Sequence, residues 1–233
     1  MDTSRTLKTT ETFFISFVFR VLLCFIFASM KEKLDHILLQ ARSIFMRYGL
    51  KSVTMDDVCR EMGISKKTLY QFVCDKQDLV KRTVEREVSE NHAIVEGIVA
   101  QKLNAIDELV EITVKMAERL KHLNPSVAFD MQKYYPESWA VMVEYRSNFM
   151  VQAIYENTLR GQEQELFLKD FDPRIVARFY TLKLEFLADA DFAANQKISA
   201  ATIFFENLKY HIRGIGAPKG LHLLEEKLKH IQP

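Results

Sequence analysis

The chain is expected to be all-α: a three-helix amino-terminal module joined by a long fourth helix to a larger helical body. Three observations predict this. From Met30 onward, apolar residues recur at spacings of three and four in nearly every segment. No segment sustains the strict alternation of a half-buried strand. Seven Gly and five Pro in 233 residues are too few for a loop-rich β-protein or a disordered chain.

Taken in order, the first helix carries Leu34, Ile37, Leu38, Ala41, Ile44, Phe45 and Tyr48 on one stripe and ends at Gly49, a residue suited to a left-handed helix stop. The second opens at Thr54, with Asp56 and Asp57 in the first turn, where the helix dipole favours carboxylates, and carries Met55, Val58 and Met62. Ser65 opens a third with Leu69 and Phe72, and Asp75 a fourth with Leu79, Val80, Val84, Val88, Val95 and Ile98. Further helices are expected near 104–121, 126–132, 137–160, 172–190 and 198–213. Gly214 to Gly220 reads as a helix stop and turn.

Residues 1–29 stand apart as an apolar amino-terminal extension. Residues 13–28 are apolar except for Ser16 and Arg20, and hold six of the seventeen Phe. The run is short for a membrane span of about 20 residues, and Arg20 near its centre would cost about 2.5–3.5 kcal/mol on insertion. A translated segment upstream of a start at Met30 is the favoured reading, ahead of a membrane anchor and then a secretory signal. Ser29 and Glu32 have capping-box spacing for a helix beginning near Met30.

Charge divides along the chain although its net value is only +1. Residues 31–82 hold eleven basic and seven acidic residues, and residues 83–233 hold eighteen and twenty-two. A basic module on an acidic body suits a reader of nucleic acid, although surface scatter alone gives excesses of this size. Three cysteines (Cys24, Cys59, Cys74) lack the number and spacing of a disulfide framework, which favours a reducing compartment and a cytoplasmic protein.

Thr54 to Phe72 has the pattern of a helix-turn-helix. Two short helices crossing steeply need a small side chain at their contact, and Cys59 sits there. Four residues on, Gly63 permits the sharp turn. Ile64 tucks into the small core, Ser65 caps the next helix, and Leu69 returns to the core. That leaves Lys66, Lys67, Thr68, Tyr70 and Gln71 projecting outward as a row of donors. An ordinary αα-corner with solvated lysines is the competing explanation.

The longer context resembles the DNA-binding domain of the TetR family of bacterial regulators. The resemblance covers residues 34 to 80, through Tyr48-Gly49, Val53-Thr54, Val58-Cys59, Gly63-Ile64-Ser65-Lys66, Thr68-Leu69-Tyr70 and Asp75-Lys76. It departs at Lys67, where Gly is frequent, at Phe72, where Tyr or His is usual, and at Val73, where Phe is usual. Phe72 has no polar atom to offer a phosphate. The resemblance implies that Thr54, Tyr70 and Lys76 contact phosphates. It also implies that Lys66, Lys67, Thr68 and Gln71 face the major groove, with Ser65 counted among the DNA-contacting residues at the helix start. Gln71 suits bidentate pairing with adenine. The implied division is a DNA-binding domain over 30–76 and an effector-binding and dimerisation domain over 77–233.

One such module buries too little surface for tight site selection, so a homodimer reading an operator with two half-sites in double-stranded DNA is expected. Candidate dimer residues are Ile175, Phe179, Leu182 and Phe186, then Ile203, Phe204, Leu208 and Ile212; closing the monomer core is the competing role for these stripes. Phe129, Tyr134, Tyr135, Trp139, Met142, Tyr145 and Phe149, rich in aromatics, are candidates for an effector pocket, and they suit an ordinary core equally well. The resemblance implies a small-molecule effector and, by the family's habit, a repressor.

No enzyme constellation appears. The six His form no pair at metal-ligand spacing, so no metal or cofactor is expected. Asp130, Glu137 and Glu144 read as solvated or pocket-rim charges, with Pro136 interrupting their helix. Two further classes stay open: a membrane-tethered helical sensor anchored by residues 13–28, and a helical interaction module without DNA binding.

Overall fold

The computed structural model describes residues 28–121, 124, 126–184 and 198–229. The apolar run before residue 28 and the candidate dimer residue Phe186 lie outside them. Among the described residues the fold is helical without a strand, its one β-contact being a bridge between Phe167 and Gly216. No helix among them is long and apolar enough to cross a membrane.

Helix α1 spans residues 28–48. Residues 28 and 29 are already helical, so Ser29 does not cap a helix starting at Met30. Ile37, Leu38, Ala41, Ile44 and Phe45 are buried as the periodicity requires, whereas Tyr48 is exposed beneath the Arg47 guanidinium. Gly49 ends the helix with φ 85°.

Three short elements complete the head. Helix α2 (Met55–Met62) starts at a capping box. The Thr54 hydroxyl accepts from the Asp57 amide at 3.2 Å, and the Asp57 carboxylate accepts from the Thr54 amide at 2.9 Å. Gly63 ends it at φ 65° and ψ 28°, a left-handed conformation in which a β-carbon is strained. Helix α3 (Lys66–Leu69) is a single turn capped by Ser65. Val58, Cys59 and Leu69 meet α1 in one apolar cluster.

Helix α4 (Lys76–Val99) has 24 residues and so extends about 36 Å, carrying the chain out of the head. Asp75 caps it through the Asp78 amide at 2.8 Å. Helices α5 (Ala105–Leu120) and α6 (Ser126–Tyr134) follow, and Tyr135 separates α6 from α7 (Pro136–Glu144), which Pro136 opens. A π-helical stretch, Tyr145–Met150, joins α7 to α8 (Val151–Glu163). Helices α9 (Pro173–Leu182) and α10 (Ala200–Ile215) complete the expected set.

The last helix, α11 (Pro218–Leu228), was not expected: Pro218 starts it, so the glycine-rich stretch closes α10 and enters a new helix within a few residues. Gly220 lies against the body core, where a β-carbon would sit 2.1 Å from the Leu166 carbonyl oxygen. That core gathers Ile106, Leu109, Phe167, Leu208, Ile212 and Leu224 around α5.

Candidate DNA-reading surface and ligand cavity

The reading face is built from the turn outward. Leu69, fully buried, pins α3 to the core, and Ser65 fixes its start by accepting from the Thr68 amide at 3.0 Å. With the base of the turn held, Lys66, Lys67, Tyr70 and Gln71 stand exposed around it. Lys66 pairs with Asp56 at 2.6 Å, with both side chains more than half exposed; such a pair is worth little and yields readily to a phosphate.

Four expected contacts are placed differently from the outward row. The Ser65 and Thr68 hydroxyls bond each other at 2.8 Å, and Thr68 is half-buried. The Thr54 hydroxyl donates to Asp57 at 2.7 Å, and with the Thr54 amide it holds the Asp57 carboxyl below the usual carboxylate range. The Lys76 ammonium turns inward, donating to the Leu50 carbonyl at 2.5 Å and lying 5.7 Å from the Tyr135 ring. Burial pushes that ammonium below the ordinary lysine value, against the pull of Asp130 and Asp57. These groups brace the head; a short polar side chain at a helix start satisfies the nearest orphan amide before anything farther away.

Asp130 is a second correction. It is buried, not solvated, and accepts from the Lys51 amide at 2.9 Å. Asn124 donates its amide to the Met46 carbonyl at 2.7 Å. Helix α6 and the residue two before it are thereby tied to the loop after α1 and to the end of α1. Glu137 does lie on the surface, paired with Lys81 at 2.8 Å.

Between α1, α4, α5 and the α6–α8 segment lies a cavity of about 240 Å³. Trp139, Met142, Tyr145 and Phe149 line it. Phe129, Tyr134 and Tyr135 do not. The Phe129 and Tyr134 rings lie by the Lys133 ammonium, and Tyr135 is buried in the head core. The break at Pro136 turns these three away from the residues that follow.

The cavity's polar wall went unforeseen. Arg42 donates through Nη2 to Glu87 at 3.1 Å and to the Arg119 carbonyl at 3.2 Å, while Arg119 reaches Glu87 and Glu90, each at 2.9 Å. One ion-pair cluster thus joins α1, α4 and α5. Burial pushes the Tyr145 phenol up to about 12, with Arg119 lowering it and Glu87 raising it, so the phenol stays protonated. A signal existed: Glu87 and Asn91 fall on the same α4 stripe as Val80, Val84 and Val95, polar residues where the period calls for apolar ones.

The candidate dimer residues also divide. Ile175, Phe179 and Leu182 are 52%, 61% and 53% exposed along one side of α9, and Lys183 places its ammonium 4.5 Å over the ring of Tyr210, itself 72% exposed. Leu208 and Ile212 are fully buried in their own subunit, Phe204 lines the cavity and Ile203 is half-buried. Closing the monomer core wins for the inner face of α10 because α5 packs along it.

These features define a helix-turn-helix protein with a cavity-bearing helical body. Residues 37–83 match the family described as bacterial regulatory proteins, tetR family. An uncharacterised HTH-type transcriptional regulator, YvaF of Bacillus subtilis (strain 168), is 21% identical over 167 residues, covering 71% of this chain and 87% of that protein. Among solved structures, the regulatory protein TetR from Rhodobacter sphaeroides superposes with a TM-score of 0.64 at 12% identity, over 78% of this chain and 97% of that one. A TetR-family regulator from Agrobacterium tumefaciens does so at 0.63 and 20% identity, over 81% of this chain and all of that one.

Proposed function

We propose that the chain is a cytoplasmic, homodimeric repressor that binds a two-fold operator in double-stranded DNA and responds to a small molecule in its cavity. The observation that carries this reading is the exposed row Lys66, Lys67, Tyr70 and Gln71 on a turn that two caps and Leu69 hold rigid. A phosphate contact from Tyr70 would set the register, with Lys66, Lys67 and Gln71 facing base edges. Residues 30–76 form the DNA-binding unit and residues 77–233 the effector and dimerisation unit. The exposed α9 stripe beside Tyr210 supports self-association, since single exposed apolar residues are ordinary but a contiguous stripe is not.

The test is selection of bound DNA from a random pool. An enriched inverted repeat is the expected result. Gln71→Ala should then relax preference at one base pair in each half-site, by about 1–3 kcal/mol, with binding to random DNA unchanged. Equal loss on selected and random DNA would remove the reading role of Gln71. No enrichment, or a monomer by light scattering at micromolar concentration, would remove the operator and dimer claims.

A further inference from the structure

We infer that the cavity takes an apolar ligand bearing one negatively charged head group, a carboxylate held by Arg119 and Arg42. This rests on the cavity being the effector site. Most of its wall is aliphatic or aromatic, supplied by residues such as Val80, Met116 and Trp139. The charged lining residues are Arg42, Glu87, Arg119 and Arg146; the first three form one cluster, in which two guanidiniums share one carboxylate. Glu90 assists Arg119 from outside the lining but also pairs with Arg86 at 2.6 Å.

An acceptor is wanted at that point. Arg119 Nε is buried with no hydrogen-bond partner among the described residues, and so is Asn91 Oδ1 on the adjoining wall. An unmet buried donor on a charged group is costly, and a carboxylate oxygen satisfies it. The Asn91 amide, turned end for end, adds a second donor. A cationic head would instead face two guanidiniums. The volume, about 240 Å³, falls just below the range of about 300–1,000 Å³ usual for ligand pockets, which points to a ligand near ten carbons rather than a large amphiphile. Because Arg42 belongs to α1, a head group drawing Arg42 and Arg119 away from Glu87 would act on the anchor of the reading head.

The chain has one tryptophan, Trp139, and it lines the cavity, so its emission reports occupancy directly. Titrating the full chain, without DNA, with decanoate, 1-decanol and decylammonium should give binding in that order, with decanoate at least ~10-fold tighter than decanol. Arg119→Gln should weaken decanoate by ~10-fold and leave decanol within ~3-fold, which also shows that the variant is folded. Glu87→Gln should tighten decanoate by removing its competitor. Decanol or decylammonium matching decanoate, or an Arg119→Gln that weakens all three alike, would overturn the head-group assignment. No change in Trp139 emission with any of the three would overturn the ligand class. DNA is absent from every arm, so these failures are separate from a failure to bind an operator.

Discussion

In the head, the caps that start α2 and α3 span three residues of chain: Thr54 with Asp57, and Ser65 with Thr68. In the body, buried hydrogen bonds span 49 and 52 residues, where Asn157 on α8 donates to the Glu108 carboxylate and to the Ala105 carbonyl on α5. The two glycines that matter most differ in the same way. Gly63 is required by its own backbone angle, and nothing lies within 4 Å of the β-carbon it lacks. Gly220 has an ordinary helical backbone and is required by a carbonyl from a distant segment. The head is shaped by rules that act along the chain, and the body by what the chain meets when it returns. A reading surface must be rigid at its base, and local caps contribute to that.

The contrast can be broken from the body side first. Glu108→Ala removes the partner of the partly exposed Arg160, paired at 2.5 Å, and of the buried Asn157. The expected loss is about 3 kcal/mol in guanidinium unfolding, because the buried Asn157 amide loses its acceptor and the half-buried Arg160 its partner. Gly220→Ala should cost about 2–3 kcal/mol, since the Leu166 carbonyl is backbone and cannot swing away. Small effects from both would mean that the body tolerates local repacking as the head does.

Acid sharpens the comparison next. His211 is buried on α10 against the edge of Tyr180, and desolvation, with the Lys183 charge nearby, lowers its pKa to about 3. Unfolded, the imidazole takes its proton near pH 6.5. Between those values the unfolded chain binds the extra proton, so stability falls as pH falls, by about 1.4 kcal/mol per pH unit from this group. His211→Leu should remove that slope between pH 6 and pH 4 in urea titrations; an unchanged slope would mean that the imidazole is protonated in the fold. The smallest effect belongs to the head. Gly63→Ala should cost about 1–2 kcal/mol for the left-handed angle alone, and Gly63→Asn less, since Asn tolerates that region.

Much of the head could be read directly. Cys59 at the crossing, Gly63 at the turn, Ser65 at the cap and Leu69 beneath it follow from spacings of four or fewer residues. The same proximity gives the hydroxyls there a second set of partners. Thr54, Ser65 and Thr68 can bond an outside phosphate or a neighbouring group, and the choice depends on which partner is nearer in the folded chain. For Lys76 the partner is the Leu50 carbonyl, 26 residues earlier, and nothing in the local pattern reveals it. The cavity shows the same limit. Aromatic enrichment found Trp139, Met142, Tyr145 and Phe149, whereas Arg42, Glu87 and Arg119 come from three helices whose juxtaposition is a matter of packing.

The amino-acid sequence by itself determined the helical class, the helix stops at Gly49 and Gly63, the outward row of α3 and the apolar stripe of α9, because period, caps and backbone freedom are properties of neighbouring residues. Tertiary structure decided that Leu208 and Ile212 close their own core, that Asp130 is a buried tie, that Pro218 begins another helix and that two arginines and a glutamate meet at one cavity. Those outcomes turn on which faces come together across dozens of residues, and a side chain's partner is chosen by distance in space.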